Sequence, residues 1–276
     1  MRTNKHPTNE WPNVLAVKVE GDLTLKKAEE GLVGTDVYEE PIAITNSFGV
    51  PSYDPDVWQP DMADAVKYAK KGQIVVGSFQ GTTNRSGDVQ DYIKDFAKAA
   101  RLVKEAGAKI LEANLSCPNE GSAHLLCFDI ERTKQISEEI KNEIGNTPLI
   151  IKIAYFEDDK QLKKLVQAVG KTVDAISAIN TIPAKIFDKK GEQALPGSNR
   201  LRSGVCGHPI KWAGIDSVKR LKDLREKLNL SYAIIGVGGL TTPSDYNEYM
   251  DVGADAAMSA TGAMWNPYLA QDIKAA

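Results

Sequence analysis

The chain has 276 residues, a formal net charge of −3 and a hydrophobic fraction of 42%, which is ordinary for a globular protein. Its weakly acidic balance disfavours nucleic acid as a partner, and no apolar run approaches the ~18–20 residues that span a bilayer, so no membrane contact is expected. Three cysteines without a CxxC pair exclude a disulfide scaffold and favour a cytoplasmic location. The histidines lack metal-ligand spacing, so no metal site is predicted.

Short apolar runs alternate with longer amphipathic stretches along the chain. In chain order, the runs predict strands at Val14–Lys18, Pro41–Asn46, Gln73–Phe79, Lys109–Leu115, Pro148–Ile153, Val173–Ile179, Tyr232–Gly236 and Asp255–Ala260. The amphipathic stretches predict helices at Asp61–Lys71, Val89–Ala106, Ile130–Ile144, Lys160–Val169, Ile215–Leu228 and Pro243–Val252. Near-continuous apolar runs are typical of parallel strands that are buried on both faces.

Repeated β-α units without a linker favour one domain over residues 1–276. We predict an α/β fold, a (β/α)8 TIM barrel, and the absence of GxGxxG after the first strand argues mildly against a Rossmann fold. Because residues 1–10 are polar, they supply no strand. The barrel therefore either has all its strands or lacks its first one.

Polar side chains gather where the predicted strands end, which is where barrel active sites form. Asn114-Leu115-Ser116-Cys117-Pro118-Asn119 places two amides, a hydroxyl and a thiol in one loop. Asparagine both donates and accepts hydrogen bonds, which suits a ligand with imide and carboxylate edges. A deprotonated thiol is a base or nucleophile. The alternative is an Asn/Pro turn beside a buried cysteine.

Two lysines end or interrupt apolar runs. Lys152 lies among apolar neighbours in Leu149–Ile153, and Lys18 follows Val14–Val17. A lysine in a buried strand requires an anionic partner or loses its charge, whereas in an alternating strand it is simply solvated. Asn180-Thr181 follows another strand and is read as either a ligand pair or a helix cap.

Glycine-rich turns follow the last two strands. Gly236-Val237-Gly238-Gly239 and Ala260-Thr261-Gly262 stand where barrels bind phosphate, because glycine lets backbone N–H groups approach an anion closely. The alternative is a pair of tight turns.

Taken together, these motifs resemble the dihydroorotate dehydrogenase family, which are FMN-dependent (β/α)8 barrels. Asn114–Asn119 matches the family signature, and Ile44–Pro51 resembles its substrate loop. Further residues match other motifs of the family in the same chain order: Lys18, Lys152, Asn180-Thr181, Gly238-Gly239 and Ala260-Thr261. Cysteine in the signature resembles the class 1 enzymes, and the stretch Leu126–Asp129 resembles class 1A more than class 1B.

The resemblance implies roles for these residues in oxidising dihydroorotate to orotate in pyrimidine biosynthesis. Cys117 would take a proton from C5 while C6 gives a hydride to FMN, and Lys18 and Lys152 would stabilise charge on the reduced flavin. The residues implied to bind substrate are Asn46, Phe48, Gly49, Val50, Asn114, Asn119, Asn180 and Thr181. Those implied to bind FMN are Lys18, Asn114, Lys152, Ile179, Gly207, Gly238, Gly239, Ala260 and Thr261. Ile182–Arg202 would be a mobile segment shielding the site.

The class 1A resemblance fits fumarate as the electron acceptor and a homodimer, but the sequence itself does not identify the acceptor. NAD would need a separate iron–sulfur flavoprotein subunit, and quinone usually goes with a membrane-associating extension. Nothing in the chain matches the family's first strand, and Ala260 stands where a glycine is usual. Two alternatives stay open: a phosphate-binding barrel lyase or isomerase that uses Lys152 as a Schiff base, and a non-catalytic relative without flavin.

Overall fold

The structure, a computed structural model, describes residues 1–83, 88–116 and 125–276. Its strands are β1 (Val14–Val17), β2 (Leu32–Thr35), β3 (Ala43–Asn46), β4 (Val76–Phe79), β5 (Ile110–Asn114), β6 (Leu149–Ile153), β7 (Ala175–Ala178), β8 (Ile182–Phe187), β9 (Arg202–Gly207), β10 (Ala233–Val237) and β11 (Ala256–Met258). Its α-helices are α1 (Leu25–Glu30), α2 (Pro55–Tyr68), α3 (Val89–Glu105), α4 (Ile130–Ile144), α5 (Asp159–Val169), α6 (Lys211–Lys227), α7 (Pro243–Asp251), α8 (Thr261–Trp265) and α9 (Leu269–Ala275).

A parallel sheet carries most of the predicted strands, in the order β11-β10-β7-β6-β5-β4. These strands are apolar because both of their faces are covered, and Leu111, Leu149, Ile151 and Ile176 are completely buried. The α/β prediction is therefore confirmed. Within the described ranges this sheet has six strands, two fewer than a closed (β/α)8 barrel.

Two predictions fail in a second, smaller sheet that closes as β1-β2-β8-β9-β3. β1 (Val14–Val17) and β3 (Ala43–Asn46) were both expected in the parallel sheet. Instead β1 pairs antiparallel with β2 and β3, and β3 pairs antiparallel with β9. Residues 182–202, expected to be a mobile segment, instead contain β8, which pairs antiparallel with β9. Its alternating residues Ile182, Ala184 and Ile186 are buried, so the core holds this segment.

The helices pack on the parallel sheet through the predicted apolar faces. In α3, Phe96, Ala99 and Val103 are completely buried, and the Asp88 carboxylate accepts from the Gln90 and Asp91 backbone N–H groups to cap the helix. This packing fixes the carboxyl ends of β4, β5 and β6 side by side, and these ends form one edge of the candidate site.

Gly236 allows β10 to pack closely on α7. A methyl group at this position would lie 2.2 Å from Cδ1 of the Tyr249 ring, and Tyr249 is completely buried. We expect Gly236→Ala to lower the free energy of unfolding by about 1–3 kcal/mol, because overpacking forces a rigid ring to move. Urea denaturation measures this, with the exposed Ser231→Ala as the control. Equal stability of Gly236→Ala and the wild type would contradict the packing.

Candidate functional site

An amide cluster lies at the carboxyl ends of β4, β5 and β7. The Asn180 amide donates through Nδ2 to Asn114 Oδ1 (3.4 Å), to the Ser116 carbonyl (3.0 Å) and to Ser116 Oγ (3.1 Å). Asn114 donates to Gln80 Oε1 at 3.3 Å. The structure thus brings together the predicted Asn114 and Asn180. Ser116 supplies the hydroxyl of the predicted loop but was not assigned a ligand role. Gln80 was not predicted, although it directly follows an apolar strand, which is the signal that identified the others.

Lys152 lies beside this cluster in the same row of the sheet. In the strand register it is opposite Asn114 of β5 and Ser177 of β7. Its neighbours Ile151 and Ile153 are buried, and within the described ranges no carboxylate lies at ion-pair distance from its ammonium group. The buried Ser177 Oγ next to it also lacks a hydrogen-bond partner there. A half-buried cation without a counter-ion indicates a place for an anionic ligand.

Cys206 joins residues from three other parts of the fold. Asn46 donates from Nδ2 to the Cys206 sulfur (3.5 Å), and the thiol donates to the Ile44 carbonyl (3.7 Å). Thr261 also lies close to the thiol. Burial raises the pKa of the Cys206 thiol, although Thr261, the Asn46 amide and the Lys152 charge act in the opposite direction. Cys206 was not among the predicted site residues.

The glycine-rich turns meet at a small cavity of about 30 Å³. Gly238 (φ +121°) and Gly239 (φ +67°) both adopt conformations that favour glycine. The cavity is lined by residues from both turns and from the neighbouring strand ends, including Asn180, Cys206, Gly207, Gly238, Gly239, Ala260 and Thr261. Ile179 lies beside it, where its backbone N–H donates to the Val237 carbonyl at 2.8 Å.

Asp245 stabilises the turn that follows Gly238 and Gly239. Its carboxylate accepts from the Thr241 N–H (2.8 Å), the Thr241 hydroxyl (2.9 Å), the Thr242 N–H (2.9 Å) and Lys211 Nζ (2.8 Å). Burial acts to raise the pKa of Asp245, but the Lys211 and Thr241 hydrogen bonds outweigh it and lower the pKa to about 2. Asp245 is therefore ionised at neutral pH and stabilises the turn that follows Gly239.

Other predicted residues lie apart from these clusters. Lys18 is exposed and lines a separate cavity of about 550 Å³ with Glu39 and Glu40. The loop of Phe48, Gly49 and Val50 is held by the N-terminal segment: the Asn9 N–H donates to the Phe48 carbonyl and Arg2 Nε donates to the Val50 carbonyl, both at 2.9 Å.

The remaining predicted site residues are Thr181 and two residues of the Asn114–Asn119 loop, Cys117 and Asn119. The buried Thr181 Oγ1 has no hydrogen-bond partner within the described ranges, and Thr181 lines a cavity of about 630 Å³ with Tyr155 and Phe128. Cys117 and Asn119 lie outside the described residues. Cys127 is completely buried, and burial raises its pKa to about 12.

We tested whether these residues fit a flavin nucleotide. Among the described residues, no carboxylate lies at ion-pair distance from Lys152 and the buried hydroxyls of Ser177 and Thr181 have no hydrogen-bond partner, while two glycines with positive φ face a cavity that suits a small anionic group. Such a donor set binds a phosphate and a polar ring edge. The residues present therefore fit the phosphate end and the polar ring edge of such a cofactor.

A parallel α/β sheet with amides, a lysine and a glycine cradle along its carboxyl edge is typical of barrel-type enzymes, whose ligand sites form at the carboxyl ends of the strands. Comparison with known proteins narrows this class. The sequence model of the dihydroorotate dehydrogenase family matches residues 21–276. The chain belongs to this family, whose members are oxidoreductases.

Individual relatives agree. A dihydroorotate dehydrogenase of Dictyostelium discoideum is 36% identical over 98% of this chain and 75% of its own length. The catalytic subunit of dihydroorotate dehydrogenase B (NAD(+)) of Thermodesulfovibrio yellowstonii is 25% identical over 95% of this chain and 80% of its own.

Solved structures confirm the predicted fold class. The ligand-free dihydroorotate dehydrogenase of Eimeria tenella, a TIM barrel, matches with a TM-score of 0.71 at 19% identity, over 100% of this chain and 74% of its own. The same enzyme with ferulenol matches at a TM-score of 0.72. In the part of the chain that the structure describes, we find no helix long and apolar enough to cross a membrane.

Proposed function

We propose that this protein oxidises dihydroorotate to orotate in pyrimidine biosynthesis, with FMN as its cofactor. The observation that carries the proposal is Lys152, a half-buried cation with no acidic partner among the described residues, beside the amides of Asn114 and Asn180. Family membership supplies the reaction class. The oxidoreductase family also argues against the lyase or isomerase alternative.

FMN would be held by residues of several strand ends. The glycine pair Gly238 and Gly239, with Ala260 and Thr261, suits the phosphate, and Lys152 suits the anionic edge of a reduced flavin ring. Asn114, Ile179 and Gly207 are the further residues proposed to contact it, and Lys18 would have to reach the site from its separate cavity. When bound, FMN supplies the hydride acceptor for C6 of the substrate.

The substrate would be bound mainly by amides. Asn46, Asn114, Asn119, Asn180 and Thr181 offer donors and acceptors that match an imide and a carboxylate, and the loop of Phe48, Gly49 and Val50 would contact the ring. Cys117 would remove the proton from C5. Burial raises the pKa of the Cys127 thiol to about 12, so Cys127 is not a base at neutral pH.

The electron acceptor, assembly and location extend this proposal. We propose a class 1A enzyme that uses fumarate, works as a cytoplasmic homodimer and forms one FMN-binding domain over residues 1–276. Several relatives are instead named for NAD(+), including those of Thermodesulfovibrio yellowstonii and Pyrococcus furiosus. The acceptor is therefore the part of the proposal that most needs an experiment.

The decisive assay follows orotate formation by the FMN-loaded protein with fumarate, NAD⁺ and a quinone in parallel. Turnover with fumarate supports the proposed reaction and its acceptor, and turnover with NAD⁺ alone corrects the acceptor. No orotate with any acceptor overturns the function. Failure to bind FMN would support the non-catalytic alternative, and borohydride trapping of a carbonyl substrate on Lys152 would support the lyase.

Lys152→Met is expected to slow reduction of bound FMN by dihydroorotate about 10²-fold, because it removes a fixed charge that stabilises the anionic reduced ring. Stopped-flow absorbance of the flavin measures the rate. Lys164→Met, an exposed lysine on α5, is the matched control and should react like the wild type. Equal rates for the two variants would remove Lys152 from the proposed role.

A further inference from the structure

Cys206 lies where the smaller sheet meets the parallel one. Its register partner across the strand pair is Ile44, two residues before Asn46 in β3. Its thiol donates to the Ile44 carbonyl at 3.7 Å, and Asn46 Nδ2 donates to its sulfur at 3.5 Å. The Cys206 thiol therefore makes two hydrogen bonds to β3: it donates to the backbone of Ile44 and accepts from the side chain of Asn46. Thr261 and Lys152 also lie close to the thiol.

This arrangement determines which way the Asn46 side chain faces. An asparagine amide has an NH₂ end that only donates and an oxygen that only accepts. The thiol hydrogen of Cys206 points to the Ile44 carbonyl. The sulfur can therefore only accept a hydrogen bond from Asn46 and cannot donate one to it. The NH₂ end of Asn46 therefore turns to Cys206, and its oxygen stays available to accept from a ligand.

The thiol is suited to this role because it keeps its hydrogen. Burial raises the pKa of Cys206, so the group is a neutral thiol at neutral pH and a poor nucleophile. Cys206 also lines the cavity of the glycine loops together with Asn180 and Gly207. A change at Cys206 would therefore reach the ligand site directly, and because Cys206 also packs against the hydrophobic core, the test below includes the conservative serine variant.

We propose that Cys206 is a positioning residue that orients the Asn46 amide so that Oδ1 accepts a hydrogen bond from a ring N–H of the substrate. This inference rests on the proposed function, in which Asn46 binds dihydroorotate. It adds a residue for which the sequence suggested no role, and it assigns the direction of the Asn46 amide in substrate binding.

The test combines Cys206→Ala, Cys206→Ser and Asn46→Ala on the FMN-loaded protein. We expect Cys206→Ala to raise KM for dihydroorotate and Kd for orotate roughly 5–10-fold, the effect of one weak hydrogen bond, with a smaller change in kcat. Cys206→Ser should restore both constants to within about 2-fold, because a hydroxyl also donates and accepts. In the Asn46→Ala background, Cys206→Ala should have no further effect. Cys127→Ala, the other described free cysteine, is the matched control.

Several results would overturn the proposal: unchanged constants in Cys206→Ala, no rescue by serine, or additive effects in the double variant. A second measurement does not depend on substrate. The side-chain NH₂ signals of Asn46 in NMR spectra should exchange with water faster in Cys206→Ala than in the wild type. If wild-type protein forms no orotate, the proposed function fails, whereas unchanged NH₂ exchange would refute the Cys206–Asn46 hydrogen bond itself.

Discussion

Cys117→Ser is expected to slow reduction of bound FMN by dihydroorotate roughly 10²–10⁴-fold at neutral pH, the usual contribution of a general base. A serine hydroxyl is much harder to deprotonate than a thiol, so the variant keeps its flavin but loses the group that accepts the C5 proton. The measurement is stopped-flow absorbance of the flavin after mixing with dihydroorotate under anaerobic conditions. The wild-type rate should also rise with pH as the thiol, with a reference pKa of about 8.5, ionises.

Neither of the other two cysteines is suited to act as the base, and Cys127 provides the control for this experiment. Burial raises the pKa of Cys127 to about 12, and Cys206 is hydrogen-bonded to Asn46 with its pKa also raised by burial. Cys127→Ala should therefore leave the rate of flavin reduction close to that of the wild type. A Cys117→Ser variant that reacts as fast as the wild type would eliminate Cys117 as the base.

Asp245→Asn is expected to lower the free energy of unfolding by about 2–3 kcal/mol at neutral pH, because the carboxylate is nearly buried and accepts four hydrogen bonds. Two of these bonds hold Thr241 directly after the glycine loop. The same variant should consequently bind FMN more weakly. Urea denaturation and FMN titration measure the two effects.

The pH dependence follows from the lowered pKa of Asp245. Its pKa is about 2 in the folded protein and 3.8 without the fold, so the unfolded chain binds a proton more readily between these values. The stabilising effect is complete above about pH 4 and is lost as the pH falls through about 2. The stability difference between wild type and Asp245→Asn should therefore narrow in acid.

Glu248→Gln is the matched control for Asp245. Glu248 binds the same Lys211 ammonium at 3.0 Å, but its side chain is 48% exposed. An exposed ion pair contributes at most about 1 kcal/mol, so this variant should be nearly as stable as the wild type. A loss equal to that of Asp245→Asn, or a difference independent of pH, would contradict our account of the loop.

Local patterns predicted the individual elements well. The helix expected over Val89–Ala106 is α3 (Val89–Glu105), and the strand expected over Pro148–Ile153 is β6 (Leu149–Ile153). Both are determined by apolar spacing within a short segment. The helix expected from Asp61 instead begins at Pro55, a residue that suits a first helical turn, and α1 was missed because it is short.

The partners of each strand were not predictable in the same way. An apolar run such as Val14–Val17 is suitable for either a parallel or an antiparallel neighbour, and only its pairing with β2 and β3 decides between them. Similarly, Ile182–Phe187 alternates buried and half-buried residues, but its glycine-containing surroundings suggested a mobile segment. Its order comes from β9, which the sequence alone does not identify as its partner.

The sequence by itself determined the family, the parallel strands and the polar residues at their ends, because each depends on residues that are neighbours in the chain. Only the tertiary structure decided which of those residues meet. Asn46 and Cys206 are 160 positions apart and touch because two strands of a closed sheet bring them together. The sequence already singled out Lys152, but only the fold showed that no carboxylate of the described residues lies at ion-pair distance from it. Contacts of this kind depend on sheet closure and burial, which local sequence does not encode.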